Sequence, residues 1–464
     1  MLSILSWSAF CGASTRDMIG IDGPKFELAL VYRVDMEKFI IDGGYPISGT
    51  IRTSGNKNAA LPILCASLLA DGGVWIRNIP KIGDVHTLLT LLESMGMRFA
   101  HQGEYDIRPL SSGLVDKPLD PVLCRKVRGS VMLAAPLLHR FGRVELPHPG
   151  GDKIGRRRID THILALEQMG ASVAGTENSV ILTTKTRLHG ADILLDEASV
   201  TATENVVMAA SVADGETIIR NAACEPHVQE LCRFLNTIGA NIRGIGTNQI
   251  TVEGVQSLSM DNKEVTLGPD YLEVASLMAL AGITGGELTI ERVVPEDLRM
   301  ILFQFARLGI IGEIRGGDLF VRADQPREVQ PDFQGAVPTI ASSPWPAFPA
   351  DLTSIALVAA TQVKGSVMIH EKMFESRLFF VDQLLDMGAQ IVLCDPHRAV
   401  VIGETQLHGS RMRSPDIRAG MALLAAALAA EGQSIIENVT QIDRGYECID
   451  ERLRHLGARM ERVA

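Results

Sequence analysis

The sequence predicts an α+β protein of two domains, built from six copies of one unit with three copies per domain, and three observations carry that prediction. A helical run ending in a bulky apolar residue and a glycine recurs at Met95-Gly96, Met169-Gly170, Ile238-Gly239, Leu308-Gly309, Met387-Gly388 and Leu456-Gly457. These glycines stand 74, 69, 70, 79 and 69 residues apart, so a repeating unit of roughly seventy residues accounts for nearly everything after Met36. Each copy joins an apolar helix and a strand to an amphipathic helix and two short strands. That plan is too long for a typical solenoid unit, and it lacks the GxGxxG or P-loop glycines of a nucleotide-binding βαβ fold.

The third unit shows the plan most clearly. Residues 204–212 form an apolar helix, a Gly turn follows, and Thr217-Ile218-Ile219 read as a strand. Beyond Asn221 and Pro226, Val228, Leu231, Phe234, Leu235 and Ile238 recur at steps of three and four on one helical face, with Gly239 as the C-terminal cap. Val74–Pro80, Leu288–Pro295 and Ser434–Val439 are the corresponding strand-and-turn stretches of other units. Gly-rich or Pro-containing seams at residues 49–57 and 267–270 divide the chain into a domain of residues 57–268 and a domain of residues 37–56 plus 269–464, with a cleft between them for substrates. Residues 1–36 read as an N-terminal extension, disordered or preceding the true start. The apolar stretch at residues 2–11 has no Lys or Arg before it, and the first basic residue is Arg16, so it lacks the charged lead of a signal peptide.

Composition narrows the function classes. The chain has 464 residues, 46% hydrophobic and 21% charged, enough for a large core. A formal net charge of -11 disfavours nucleic acid and anionic lipid as partners, so an anionic ligand has to be held by a local basic cluster. Seven scattered cysteines without metal-ligand spacing suggest neither a disulfide framework nor a zinc site, and they fit a reducing cytoplasm. No apolar run approaches the ~18 residues of a membrane span.

Residues 149–162 are the densest chemical feature: Pro-Gly-Gly-Asp-Lys-Ile-Gly-Arg-Arg-Arg-Ile-Asp-Thr-His. Glycines let the backbone approach a ligand, and Arg156, Arg157 and Arg158 offer planar forks for phosphate or carboxylate, with Asp152 alone among cations. Taken alone, the stretch is equally a solvated turn with charge decoration.

Seven motifs decide between those readings. They are GxKNAALP at residues 55–62, VRGS at 127–130, PGGDxIGxR at 149–157, PxPAFPxD at 344–351, FESR at 374–377, DIRA at 416–419 and DRGYE at 443–447. Together with the six-unit plan they make the chain resemble the enolpyruvyl transferases, over about residues 37–463. The resemblance implies an inside-out α/β barrel in each of two domains that close over their substrates. It also implies transfer of enolpyruvyl from phosphoenolpyruvate to the 3-hydroxyl of UDP-N-acetylglucosamine, the first committed step of peptidoglycan synthesis. No cofactor, metal or obligate protein partner is implied. The sister branch, which makes enolpyruvyl-shikimate-phosphate, ranks second because a GSKS-type stretch would be expected where Gly55-Asn56-Lys57-Asn58 stands. A nucleotide-sugar-binding paralogue with weak activity and, more remotely, an interaction scaffold complete the alternatives.

Residue by residue, the resemblance assigns Lys57, Arg157 and Arg444 to the phosphate and Arg377 and Arg418 to the carboxylate of phosphoenolpyruvate. Asp351 becomes the base for the sugar hydroxyl, with a second role as N-cap of the helix starting at Leu352. Asn58, Arg128, Arg157, Arg158, Ile159, Asp160, Thr161, Glu197, Ala198, Ser199, Val200, Asp351 and Met373 take the nucleotide sugar. Asp152 stands where many family members carry a general-acid cysteine. Its neighbouring cations favour the ionised form, so phosphoenolpyruvate is expected to neutralise them and let Asp152 load its proton. A carboxylate is also a poorer nucleophile than the cysteine that fosfomycin alkylates, which predicts insensitivity. His162 is expected to order the loop, and Cys65 and Cys232 to lie in the core.

Overall fold

Six largely buried helices organise the described residues: Lys57–Ala66, Ala134–Phe141, Val200–Ser211, Tyr271–Thr284, Thr353–Thr361 and Ile417–Ala429. A helix with few exposed positions needs neighbours on most sides, and sheets and amphipathic helices cover these six from outside. The computed structural model describes residues 37–260 and 263–464, so the expected N-terminal extension lies outside the described residues. The buried side chains form two apolar clusters. One runs from Ala59 to Leu267, and the other joins Phe39–Ile51 to Tyr271–Met460. No helix among the described residues is long and apolar enough to cross a membrane.

Each amphipathic helix ends on the glycine anticipated from the repeat. Gly96, Gly170, Gly239, Gly309, Gly388 and Gly457 all have positive φ, between 71° and 112°. A side chain there would strain the backbone, which is why the six-fold glycine signal survives in sequence. The apolar helix of the third unit begins a turn earlier than expected, at Val200, because the Ser199 hydroxyl caps it. Residues 148–159 are irregular as anticipated, but the helix Asp160–Gln168 claims the last three residues of the 149–162 stretch.

Five sheets have four strands and one has three, and the four-stranded sheets share one pairing plan. In the third unit, Glu216–Arg220 pairs in parallel with Asp192–Leu194 on one side and antiparallel with Gln249–Glu253 on the other. The chain passes between the clusters twice, just after two strands that each pair within their own cluster. Gly49–Arg52 runs parallel to Leu288–Glu291 (Ile51 against Ile290), while Glu264–Thr266 runs parallel to Trp75–Arg77 (Val265 against Ile76). The connecting segments run side by side, with Asn56 N donating to Gly268 O at 2.8 Å and Asp270 N to Ser54 O at 3.0 Å. Lys38–Asp42 lies between Gln433–Glu437 and Arg459–Val463, so the sixth sheet takes its third strand from the start of the described chain.

Candidate active site

The apolar helices deliver the site because their N-terminal ends converge. Asn56 accepts from Asn58 N (2.9 Å) and Ala59 N (3.3 Å), and Asp270 from Leu272 N (2.9 Å) and Glu273 N (3.3 Å). Asp416 accepts from Arg418 N (2.8 Å) and Ala419 N (2.9 Å). These caps fix the helix starts, where Lys57, Asn58, Ser199, Val200, Tyr271 and Arg418 line one cavity of about 480 Å³. The positive ends of helix dipoles and the first-turn cations therefore face the same space, a natural seat for an anion.

Both clusters contribute charge to this cavity. Lys57 Nζ lies 3.2 Å from Asp84, and Arg444 reaches Asp84 through Nε (2.8 Å) and Asp152 through Nη1 (2.6 Å). Opposite them, Asp351 accepts from Arg377 Nη2 at 2.9 Å and Arg418 Nε at 3.2 Å. Arg377 Nε and Arg418 Nη2 remain buried without a hydrogen-bond partner among the described residues. A buried guanidinium N–H without an acceptor is costly, so these donors favour an incoming anion. The Arg157 guanidinium makes no ion pair among the described residues. It lies 6.0 Å from the centre of the Phe374 ring, and burial lowers its pKa against the pull of Asp152 and Asp351.

Asp351 is not a helix cap. The helix Thr353–Thr361 has no side-chain cap, a 3₁₀ turn at Ala350–Leu352 precedes it, and the carboxylate turns to the two arginines instead. Two charge-assisted bonds outweigh one cap bond, which explains the change of partner. Burial pushes the Asp351 pKa up, but Arg418, Arg377, Lys57 and Arg157 together hold it well below the usual carboxylate range. A third of its side chain remains accessible in the cavity wall.

The remaining expected residues divide into lining and support. Arg128, Arg158, Glu197, Ala198 and Met373 line the cavity with those already named. Arg128 donates to the carbonyls of Arg157 (3.0 Å) and Arg158 (2.9 Å), tying the second unit's helix start to the loop. Ile159, Asp160 and Thr161 are outside the lining: Asp160 pairs with Arg158 at 2.9 Å, and the Thr161 hydroxyl donates to Asp196 at 2.7 Å. His162 is buried, with Nδ1 2.8 Å from Asn205 Nδ2 and Nε2 3.1 Å from the Thr201 hydroxyl; burial and then Arg128 push its pKa down to about 3. Cys65 and Cys232 are fully buried.

Sequence reasoning missed Asp84, Glu204, Glu225, His227, Tyr271 and Trp345, all in the lining. Burial raises the pKa of Glu204 well above the carboxylate norm and raises that of Glu225, each with help from a neighbouring carboxylate; burial lowers His227 to about 4. Glu225 sits between strand and amphipathic helix in its own unit, as Asp152 does in the second, and Asp84 lies in the first turn of the helix Gly83–Ser94. Superposing the units in sequence would have found them.

This chain matches the EPSP synthase (3-phosphoshikimate 1-carboxyvinyltransferase) family over residues 41–453. It is 50% identical over 426 residues to a UDP-N-acetylglucosamine 1-carboxyvinyltransferase of Treponema denticola, covering 92% of this chain and 99% of the relative. It is 51% identical over 426 residues to the protein of that name in Bradyrhizobium diazoefficiens, covering 92% and 98%. Among solved structures it resembles the enolpyruvyl transferase NikO from Streptomyces tendae, with TM-score 0.81, 23% identity and coverage of 92% of this chain and 99% of that one. EPSP synthase from Acinetobacter baumannii gives TM-score 0.71 at 18% identity, with 92% and 100% coverage.

Proposed function

Because the chain belongs to the EPSP synthase (3-phosphoshikimate 1-carboxyvinyltransferase) family, we propose that it transfers enolpyruvyl from phosphoenolpyruvate to the 3-hydroxyl of UDP-N-acetylglucosamine and releases phosphate. The reaction is the first committed step of peptidoglycan synthesis, carried out in the cytoplasm. The observation that carries this reading is one cavity in which Lys57, Arg157, Arg377, Arg418 and Arg444 surround two carboxylates, Asp152 and Asp351. Residues 57–268 act as one domain and residues 37–56 plus 269–464 as the other, closing over the substrate pair and strengthening each charge interaction as water leaves.

Net transfer requires the sugar oxygen to bond to the central carbon of phosphoenolpyruvate while the methylene carbon gains a proton. The added proton then leaves, the carbon–oxygen bond to phosphate breaks, and phosphate departs with its electrons. Arg444 bonds Asp152 in this structure, so an arriving phosphate competes with that carboxylate for Nη1. Asp152, once displaced, takes a proton from solvent and delivers it to the methylene carbon. A carboxylate arriving at the unpartnered donors of Arg377 and Arg418 weakens their hold on Asp351, which raises its affinity for the sugar proton. The same anion thus prepares both the acid and the base.

Phosphate release from phosphoenolpyruvate, measured with UDP-N-acetylglucosamine, with shikimate-3-phosphate and with neither, tests this reading. Release with the nucleotide sugar alone is expected. Release with shikimate-3-phosphate instead would assign the chain to the sister activity, and no release in any of the three would leave a binding role.

A further inference from the structure

The loop carrying Asp152 is held by a residue that the reaction itself does not use. Glu375 lies on the irregular stretch of residues 371–380, whose Leu378 and Phe380 belong to the cluster of the other half, and its Oε1 accepts from Arg156 N at 2.8 Å. One residue further on, Ser376 N donates to Ile154 O at 3.0 Å, so the two loops pair over a short span. Gly155 sits between these bonds with φ +134°, and a Cβ built there would fall 2.3 Å from Glu375 Oε2. The third glycine of the PGGDxIG motif is therefore matched to this carboxylate in shape as well as in backbone conformation. On either side of the contact, Arg157 and Arg377 flank the Phe374 ring at 6.0 and 5.2 Å from its centre.

We propose that Glu375 is a positioning residue for the transfer: its carboxylate caps the Arg156 amide and so fixes Asp152 against Arg444. The backbone bond to Arg156 is the leading cause that holds the Glu375 pKa below the carboxylate norm, as expected of an ionised acceptor. Glu375 is exposed and contributes nothing to either apolar cluster, so its removal should spare the fold. The proposal rests on the reading of this cavity as an enolpyruvyl transfer site.

The test compares the full chain with Glu375→Ala and Glu375→Gln, the latter retaining a carbonyl acceptor. Amide exchange at Arg156 is expected to quicken roughly tenfold in Glu375→Ala and to stay near wild type in Glu375→Gln. In turnover, kcat/KM for phosphoenolpyruvate should fall about tenfold in the alanine variant and largely recover in the glutamine variant, while KM for UDP-N-acetylglucosamine stays within about twofold. Unchanged exchange in Glu375→Ala, equal damage in both variants, or a parallel loss for both substrates would overturn the proposal. A wild-type protein that releases no phosphate with UDP-N-acetylglucosamine would sink the functional reading instead, and the exchange measurement would still decide whether Glu375 holds the loop.

Discussion

Units two and five share one difference from the other four, at the exit of the first long strand. In units one, three, four and six the chain turns at once on Asn78, Asn221, Arg292 or Asn438, each with φ between 55° and 63°. The three asparagines also repeat one bond, from Nδ2 to the carbonyl just beyond the parallel edge strand: Leu267 at 3.0 Å, Leu195 at 3.0 Å and Ser414 at 2.8 Å. Units two and five omit this turn and spend residues 148–159 and 371–380 on irregular loops that carry Asp152, Arg157, Met373 and Arg377. Four units keep a tight left-handed corner, pinned by a side-chain bond in three of them, and two replace it with loops that reach the cavity. Loops two and five bond to each other instead, from Arg156 N to Glu375 Oε1 and from Ser376 N to Ile154 O.

The largest test of this contrast is chemical. Asp152→Asn and Asp351→Asn should each lower kcat by about 10²–10⁴ while the melting temperature stays within a few degrees. A preserved rate would remove the acid or the base from the scheme. Wild type should show no covalent adduct after incubation with fosfomycin, and Asp152→Cys should keep turnover and gain a mass shift at residue 152; an adduct on the wild-type carboxylate would refute the prediction. The next effect belongs to two buried histidines. His162 and His227 have folded pKa values of about 3 and about 4, below the ~6.5 of an unfolded histidine, so the unfolded state binds more protons as pH falls. Stability should therefore drop by about 1.4 kcal/mol per pH unit for each histidine between roughly 6.5 and its folded value, and urea titrations from pH 7 to 5 read that slope. In unit four, Gly309→Ala puts a Cβ 2.5 Å from Glu328 N at φ +71°, and should cost about 1–3 kcal/mol of stability without altering kcat. Arg292→Asn should act in the opposite sense. It supplies the amide that the other three corners use and eases a left-handed backbone, for a gain of about 0.5–1 kcal/mol in denaturant unfolding.

What sequence could reveal followed from local rules. The six glycines, the irregular loop and the core cysteines were legible because each depends on neighbours a few residues away. Asp351 as a helix cap was a sound local inference, but Arg377 and Arg418 override it from 26 and 67 residues away. Asp84 escaped notice because its importance lies in Arg444, 360 residues distant, and Glu204 because an acid within an apolar helix gains meaning only when the cavity beside it is known. The long-range parallel pairings were illegible for the same reason: Gly49–Arg52 and Glu264–Thr266 have ordinary strand sequences whose partners only the assembled molecule selects.

These long-range pairings set an order of events for a chain emerging from the ribosome. Every strand of the first three sheets is present once Thr266 has been made, so that half can bury its core early. Lys38–Asp42 and Gly49–Arg52 must wait for Gln433–Glu437 and Leu288–Glu291, which lie hundreds of residues downstream. Until then two early strands remain as open edges, the part of the nascent chain most exposed to wrong pairing. A circular permutant that moves residues 38–42 behind Val463 would turn their longest-range pairings into local ones. It should refold faster with the same cavity, because the route to the fold would change while its contacts would not.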